Sequence, residues 1–515
     1  MATGILRQRG AFVNGRDAAA GIREFVDNET CYAEDAAMDY PAPSLLIDGR
    51  WIERTGEGSV PVVNPADAAV IGQLPVAGAA ELQAAVAAAA RSFPTWAATL
   101  PLERFHIMTR ATRLIRERAA SIAGVLTLEQ GKPLAEATRE VTLAADIIDF
   151  LAEEAKRLAS RGVPPRLPTI LSQSVQRVPV GPVAAFTPWN FPANLPARKL
   201  GGALAAGCSV IIKPAEETPA TCIELARAFV DAGLPAGVLN VVAGNPAFIS
   251  DTLIAAPAIA KISFTGSVAV GRMLGEKAAH HLKRYTAELG GHAPVIVCAD
   301  ADPVATARLA VAAKFRNAGQ VCASPIRFLV QREVYARFRD EFLATTRALK
   351  LGSGFEAGVQ LGPLIHERRV TAMREFVDDA VACGARLLCG GRRVQRPGYF
   401  FEPTVLEAAP PAARVQREEP FGPIALLDVF DGLDEAIARA NGLSYGLAAY
   451  AFTRDLKLAH ELGARLQAGM VGINHFGVSQ PETPFGGVKD SGQGSESGLE
   501  GLLAYTDVKL VSIGA

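Results

Sequence analysis

Between residues 183 and 287 the chain alternates short apolar runs with longer amphipathic stretches. The apolar runs fall at 183–187, 209–213, 238–242, 260–264 and 284–287, and helical periodicity fills 194–206, 218–232, 246–255 and 267–280. Strand-sized apolar runs joined by helices predict a parallel sheet covered on both faces. A second set opens with Ala293–Cys298 and a helix that ends before Cys322. It continues through Phe328–Val330, helices near 332–349 and 366–382, and strands at 424–429 and 469–473. The expectation is an α/β protein with two doubly wound domains, and in such sheets ligands sit beyond the carboxyl ends of the strands.

Upstream, Leu45–Trp51 followed by Val60–Val63 predicts a short hairpin, and alanine- and leucine-rich stretches at 79–93 and 101–129 predict helices. A further helix over 135–160 aligns Val141, Ile148, Leu151, Ala155 and Leu158 on one face, leaves Arg157 off that stripe, and stops at Pro164 and Pro165. Residues 169–180 then read as an extended arm. The run Leu502–Ile513 reads as an edge strand suited to pairing with the arm of a neighbouring subunit. The expected partition is an extension over 1–44, a first domain over 45–168 and 181–292, a second over 293–484, and a β-strand oligomerisation arm from 169–180 and 500–515.

Composition narrows the class. With 515 residues, 49% hydrophobic and 20% charged, the chain has the profile of a globular protein of more than one domain. A net charge of −1 and a pI near 6.7 give no reason to expect nucleic acid or an anionic membrane as partner. The longest uncharged run, between Arg177 and Arg198, is broken by five prolines, so no membrane span is expected. Seven cysteines without a framework of short spacings suit a reducing, cytoplasmic setting, and the histidines show no metal-binding spacing.

Candidate chemistry centres on Phe315-Arg-Asn-Ala-Gly-Gln-Val-Cys322. Asp302-Pro303 supplies a helix start, and Val304, Ala307, Val311 and Phe315 keep helical spacing, so the helix aims at Gly319 and Cys322. A cysteine near backbone amides and an arginine is expected to have a lowered pKa and to act as a nucleophile. Asn190, in Thr187-Pro-Trp-Asn-Phe-Pro, is placed by flanking prolines to donate to an oxyanion. Lys213-Pro-Ala-Glu216 sets a cation and an anion at a strand end. Phe264-Thr-Gly266-Ser267 through Gly271 forms a strand-to-helix turn with amides suited to phosphate. Glu288-Leu-Gly-Gly291 places a carboxylate before a buried strand, where a raised pKa suits a general base. Gly492-Gln-Gly494-Ser-Glu-Ser-Gly498 has the wrong spacing for a dinucleotide loop and is expected to precede no helix.

Taken together, the segments TPWNFP, KPAEETP, FTGS, ELGG, FRNAGQVC, EEPFGP (418–423) and PFGGVKDSG (484–492) resemble the aldehyde dehydrogenase superfamily from about residue 45 onward. The resemblance implies Cys322 as nucleophile, Glu288 as general base, and Asn190 with the Cys322 backbone N–H as oxyanion hole. It implies a Rossmann-like domain for NAD, with NADP tolerated. Lys213 and Glu216 take the adenosine ribose, and Gly266 and Ser267 lie beside the pyrophosphate. Glu419 and Phe421 take the nicotinamide half, and Trp189, Pro214, Ala215, Phe264, Gly271 and Leu289 line the groove. No metal is required, and a homodimer or homotetramer acting on a small aldehyde is expected.

Members that oxidise succinate semialdehyde are similar at Arg157, Arg316 and Ser479, whose guanidiniums and hydroxyl suit a substrate carboxylate. Ala323-Ser324-Pro325 stands where many of them place a second cysteine. The run from Ala323 to Phe328 also resembles dehydrogenases of 2-oxoglutarate semialdehyde, the alternative substrate alongside a general aldehyde.

Overall fold

A computed structural model describes residues 39–515. The first of its two large sheets has eight strands, in the order Gly492–Gln493, Arg284–Glu288, Lys261–Thr265, Val183–Phe186, Val210–Lys213, Leu239–Val241, Leu45–Ile47 and Arg50–Ile52. Its five central strands are parallel and almost wholly buried, as their unbroken apolar runs require. From Val183–Phe186 the chain winds one way, through the helix Asn194–Ala206, to Val210–Lys213 and Leu239–Val241. It then crosses back to Lys261–Thr265 on the other side. The winding therefore reverses between Val183–Phe186 and Lys261–Thr265, which opens a crevice at their carboxyl ends.

The second sheet has seven strands, in the order Arg386–Cys389, Thr404–Glu407, Ile424–Phe430, Pro325–Gln331, Ala293–Val297, Ala448–Phe452 and Met470–Ile473. The helix Pro303–Phe315 starts as predicted, with Asp302 accepting from the amides of Val304 and Ala305 at 3.0 and 3.2 Å. After it the backbone tightens into a turn, Arg316–Gly319. Asn317, Ala318 and Gly319 all take left-handed conformations there, with φ of 51°, 53° and 70°. Cys322 follows, at the amino end of the strand Pro325–Gln331.

Three expectations need correction. The terminal strand Thr506–Gly514 pairs antiparallel with Ile170–Pro179 of its own chain, in a three-stranded sheet completed by Arg161–Gly162. A sequence pattern does not distinguish pairing within a chain from pairing between chains. The single helix expected over 101–129 is two, Pro101–Glu117 and Ala119–Gln130, broken where Arg118 leaves helical geometry. The glycine run at 492–498 does lead into a helix, the six-residue Gly498–Leu503, and Gly492 pairs with Glu288 at the edge of the first sheet. Among the described residues, no helix is long and apolar enough to cross a membrane.

Candidate functional site

The crevice of the first sheet collects one group of predicted residues. At the end of Lys261–Thr265, Gly266 lies so close to the Phe264 ring that a Cβ would sit 2.4 Å from it, so a side chain there would force the ring to move. Ser267 caps the helix Val268–His280 by accepting from the Val270 amide. On the next turn, Gly271 lets Leu289 pack against the helix backbone. At the end of Val210–Lys213, the buried Lys213 ammonium meets the Glu216 carboxylate at 2.5 Å across the Pro214-Ala215 turn. Trp189, past the end of Val183–Phe186, stands edge-on to Phe421 with centroids 5.4 Å apart. Phe421 holds a left-handed φ of 46°. Glu419 accepts from the Gly291 amide at 3.0 Å, and burial pushes its carboxyl up to about 7. Among the described residues buried Thr265 Oγ1 has no partner, and with the glycine turn and the Lys213–Glu216 pair it forms a cradle that fits the diphosphate and ribose of a nicotinamide dinucleotide.

Cys322 lies where the second sheet faces this crevice. Gly291 approaches it so closely that a Cβ would sit 2.5 Å from the Cys322 carbonyl oxygen. Asn190 is buried and donates from Nδ2 to the Gln320 carbonyl at 3.0 Å, which leaves its second amide N–H free. Among the described residues, both buried Glu288 carboxylate oxygens lack a hydrogen-bond partner. Burial first and Glu496 second raise its pKa well above the ordinary carboxylate value. The Cys322 thiol differs from expectation, because burial, then Glu419 and Glu288, push it up to about 12, and Arg198 offsets only part of this. Spacing to amides was legible in the sequence, whereas loss of solvent around the sulfur was not. Asn190 bonds to the loop that carries Cys322, and the Glu288 carboxylate acts on the Cys322 thiol, so residues 190, 288 and 322 lie around one space.

Sequence reasoning missed three groups around that space. Arg198, on the buried helix Asn194–Ala206, donates from Nη2 to Ser479 Oγ at 2.7 Å and from Nη1 to Ser497 Oγ, and it stacks 4.6 Å from the Phe485 ring centroid. Its charge is felt at both Cys322 and Glu288. Next to it, Lys199 meets Glu496 at 2.5 Å and Ser263 at 3.1 Å, and Glu496 is the carboxylate that acts on Glu288. The sequence marked Arg198 only as the end of an uncharged run. Of the predicted anion-binding set, Ser479 is at the site. Arg316 is exposed, with its guanidinium 5.7 Å from the Phe191 ring centroid. Arg157 does not join them. It lies exposed past the end of the helix Leu134–Ala155 and is committed to Glu153 and Glu154 on that helix.

The Aldehyde dehydrogenase family model matches residues 51–511. The chain is 49% identical over 472 residues to 4-(hydroxymethyl)benzenesulfonate dehydrogenase TsaD1 of Comamonas testosteroni, covering 92% of this chain and 98% of that protein. It is 43% identical over 474 residues to the succinate-semialdehyde dehydrogenase [NADP(+)] GabD of Escherichia coli, covering 91% and 97%. A crystal structure of an E. coli NADP-dependent enzyme superposes with a TM-score of 0.91 at 42% identity, covering 94% of this chain and all of that one.

Proposed function

This chain belongs to the aldehyde dehydrogenase family and oxidises aldehydes with NAD or NADP, and from that premise we propose that its substrate is a short aldehyde with a carboxylate at its far end, succinate semialdehyde being the reference case. The observation that carries this is Arg198, a buried guanidinium bonded to Ser479 whose charge is felt at Cys322. Among the described residues no carboxylate lies within hydrogen-bond reach of Arg198, and such a buried cation is suited to an anion delivered by substrate. Arg316 and Ser479 complete the anion-binding end, and Arg198 takes the place first assigned to Arg157.

In this reading the Cys322 sulfur bonds to the aldehyde carbon as its proton passes to Glu288. The free N–H of Asn190 and the Cys322 backbone N–H hold the oxyanion that forms. The bound nicotinamide supplies the hydride acceptor. With the acyl group held on Cys322 as a thioester and the first proton released from Glu288 to solvent, the Glu288 carboxylate takes a proton from water. The resulting hydroxide adds to the acyl carbon, the C–S bond breaks, and the carboxylic acid leaves. On the cofactor side, Glu216 favours NAD because its carboxylate repels a 2′-phosphate, and the nearby Lys213 keeps NADP usable.

Steady-state kinetics test the reading. We expect kcat/KM for succinate semialdehyde to exceed that for an uncharged aldehyde of equal length. Arg198→Met should raise KM for the acid on the order of a hundredfold, while the neutral aldehyde loses only the smaller share that comes from the Arg198 charge at Cys322 and Glu288. Equal effects on both substrates defeat the charge assignment. A second reading has its own observation. Arg198, Ser479 and Ser497 form a cluster of donors that also suits a sulfonate, and TsaD1 is named for a benzenesulfonate. Preference for a sulfonated over a carboxylated aldehyde in the same assay would select it.

A further inference from the structure

A buried ion pair lies behind the site and takes no part in the proposed reaction. Lys132 and Glu140 are 2% and 4% exposed, and their charged atoms are 2.5 Å apart. Both reach the turn that carries Asn190. Lys132 Nζ donates to the Asn190 carbonyl at 2.9 Å, and Glu140 Oε1 accepts from the amides of Ala193 and Asn194 at 2.9 and 3.2 Å. The same Asn190 carbonyl accepts from Asn317 Nδ2 at 2.9 Å, and Asn317 opens the left-handed turn that leads to Cys322. Asn190 is thus held by its carbonyl from two sides, while its side chain donates to Gln320 of the cysteine loop.

We propose that Lys132 and Glu140 are positioning residues that fix the Asn190 side chain where the oxyanion forms. The inference rests on the reading of Asn190 as an oxyanion donor. Neither side chain hydrogen-bonds Cys322 or Glu288, so the pair acts through Asn190. A buried ion pair is expensive to desolvate, and an apolar pair of similar volume often gives equal stability. What apolar residues do not supply is directed bonds to three backbone groups of one turn. A donor displaced by about an ångström loses most of its effect on a transition state.

The test is a double-mutant cycle read by the single-turnover burst of reduced nicotinamide, with NAD affinity measured in parallel. The variant is Lys132→Met with Glu140→Leu, which removes both charges together. We expect the burst to slow between about tenfold and about a hundredfold while the NAD Kd stays within about twofold. Asn190→Ala alone should slow it about a hundredfold or more. In that background the paired substitution should cost less than about twofold, because the group it positions is gone. An equal cost in both backgrounds, or an unchanged burst, overturns the positioning role while leaving the role of Asn190 intact. A normal burst in Asn190→Ala defeats the underlying reading, and the positioning role with it. If the paired variant does not fold, Glu140→Gln replaces it in the same cycle, with an expected loss of roughly fivefold.

Discussion

The two large sheets share a winding pattern but put their crevices to different use. In the first sheet, the carboxyl edge between Val183–Phe186 and Lys261–Thr265 carries a glycine turn, an ion pair and an unpartnered Thr265 hydroxyl. In the second, winding reverses between Ala293–Val297 and Ala448–Phe452, and a cavity of about 410 Å³ lies beyond their carboxyl ends. There the loop amides are already satisfied, since Asp300 accepts from Thr453 Oγ1 and from the Arg454 and Asp455 amides. Asp302 and Asp455 cap their own helices. Cys322 sits at the opposite, amino end of this sheet, facing the crevice of the first. A reversal of winding therefore accompanies a groove of open polar groups in one sheet and a self-satisfied loop cluster in the other. Side chains at the strand ends decide which.

The strongest way to break this contrast is at the sulfur. Cys322→Ala should lower aldehyde oxidation by about ten-thousandfold or more, and mass spectrometry of the quenched reaction should then find no acyl adduct on the protein. Substantial residual turnover would place the nucleophile elsewhere. If Glu288 is the base of both proposed steps, Glu288→Gln should cost about a hundredfold to ten-thousandfold in kcat. Its pH signature is specific. The Glu288 carboxyl has a folded pKa above its ordinary 4.5, so the base is ionised, and kcat rises, only as pH climbs through the raised value. Between the two values the folded chain binds the extra proton, so stability falls as pH rises through that window. Glu288→Gln should make this limb of the stability profile shallower, the remainder coming from other buried carboxyls such as Glu419 and Glu129. An unchanged limb, followed by thermal unfolding across pH, would assign it to another group.

The sequence made these local devices legible because each lies within a few residues of its cause. Asp302 caps the helix whose first residue it precedes, and Gly266 follows the Phe264 whose ring it must clear. Arg198 was not legible, because its role depends on Ser479 and Ser497, nearly three hundred residues away. The thiol of Cys322 was misjudged for a related reason. Neighbouring amides are local, whereas burial is the sum of many distant chain segments. Likewise, an edge strand announces itself in its residues, but Thr506–Gly514 finds Ile170–Pro179 only through the fold of the whole chain.

Smaller effects sharpen the contrast between the two crevices. Glu216→Gln removes the carboxylate beside Lys213 in the first, and kcat/KM with NADP should rise relative to NAD by about tenfold, since one like-charge repulsion is relieved. An unchanged ratio in paired steady-state assays would move nucleotide choice to other residues. In the second crevice, Asp302→Ala deletes only a helix cap. The denaturant midpoint should fall slightly, while kcat and KM for aldehyde and nucleotide stay within about twofold. A loss of nucleotide or aldehyde affinity instead would mean that the second crevice holds a ligand after all. Its acidic caps would then have been misread as fillers of a groove that they in fact line.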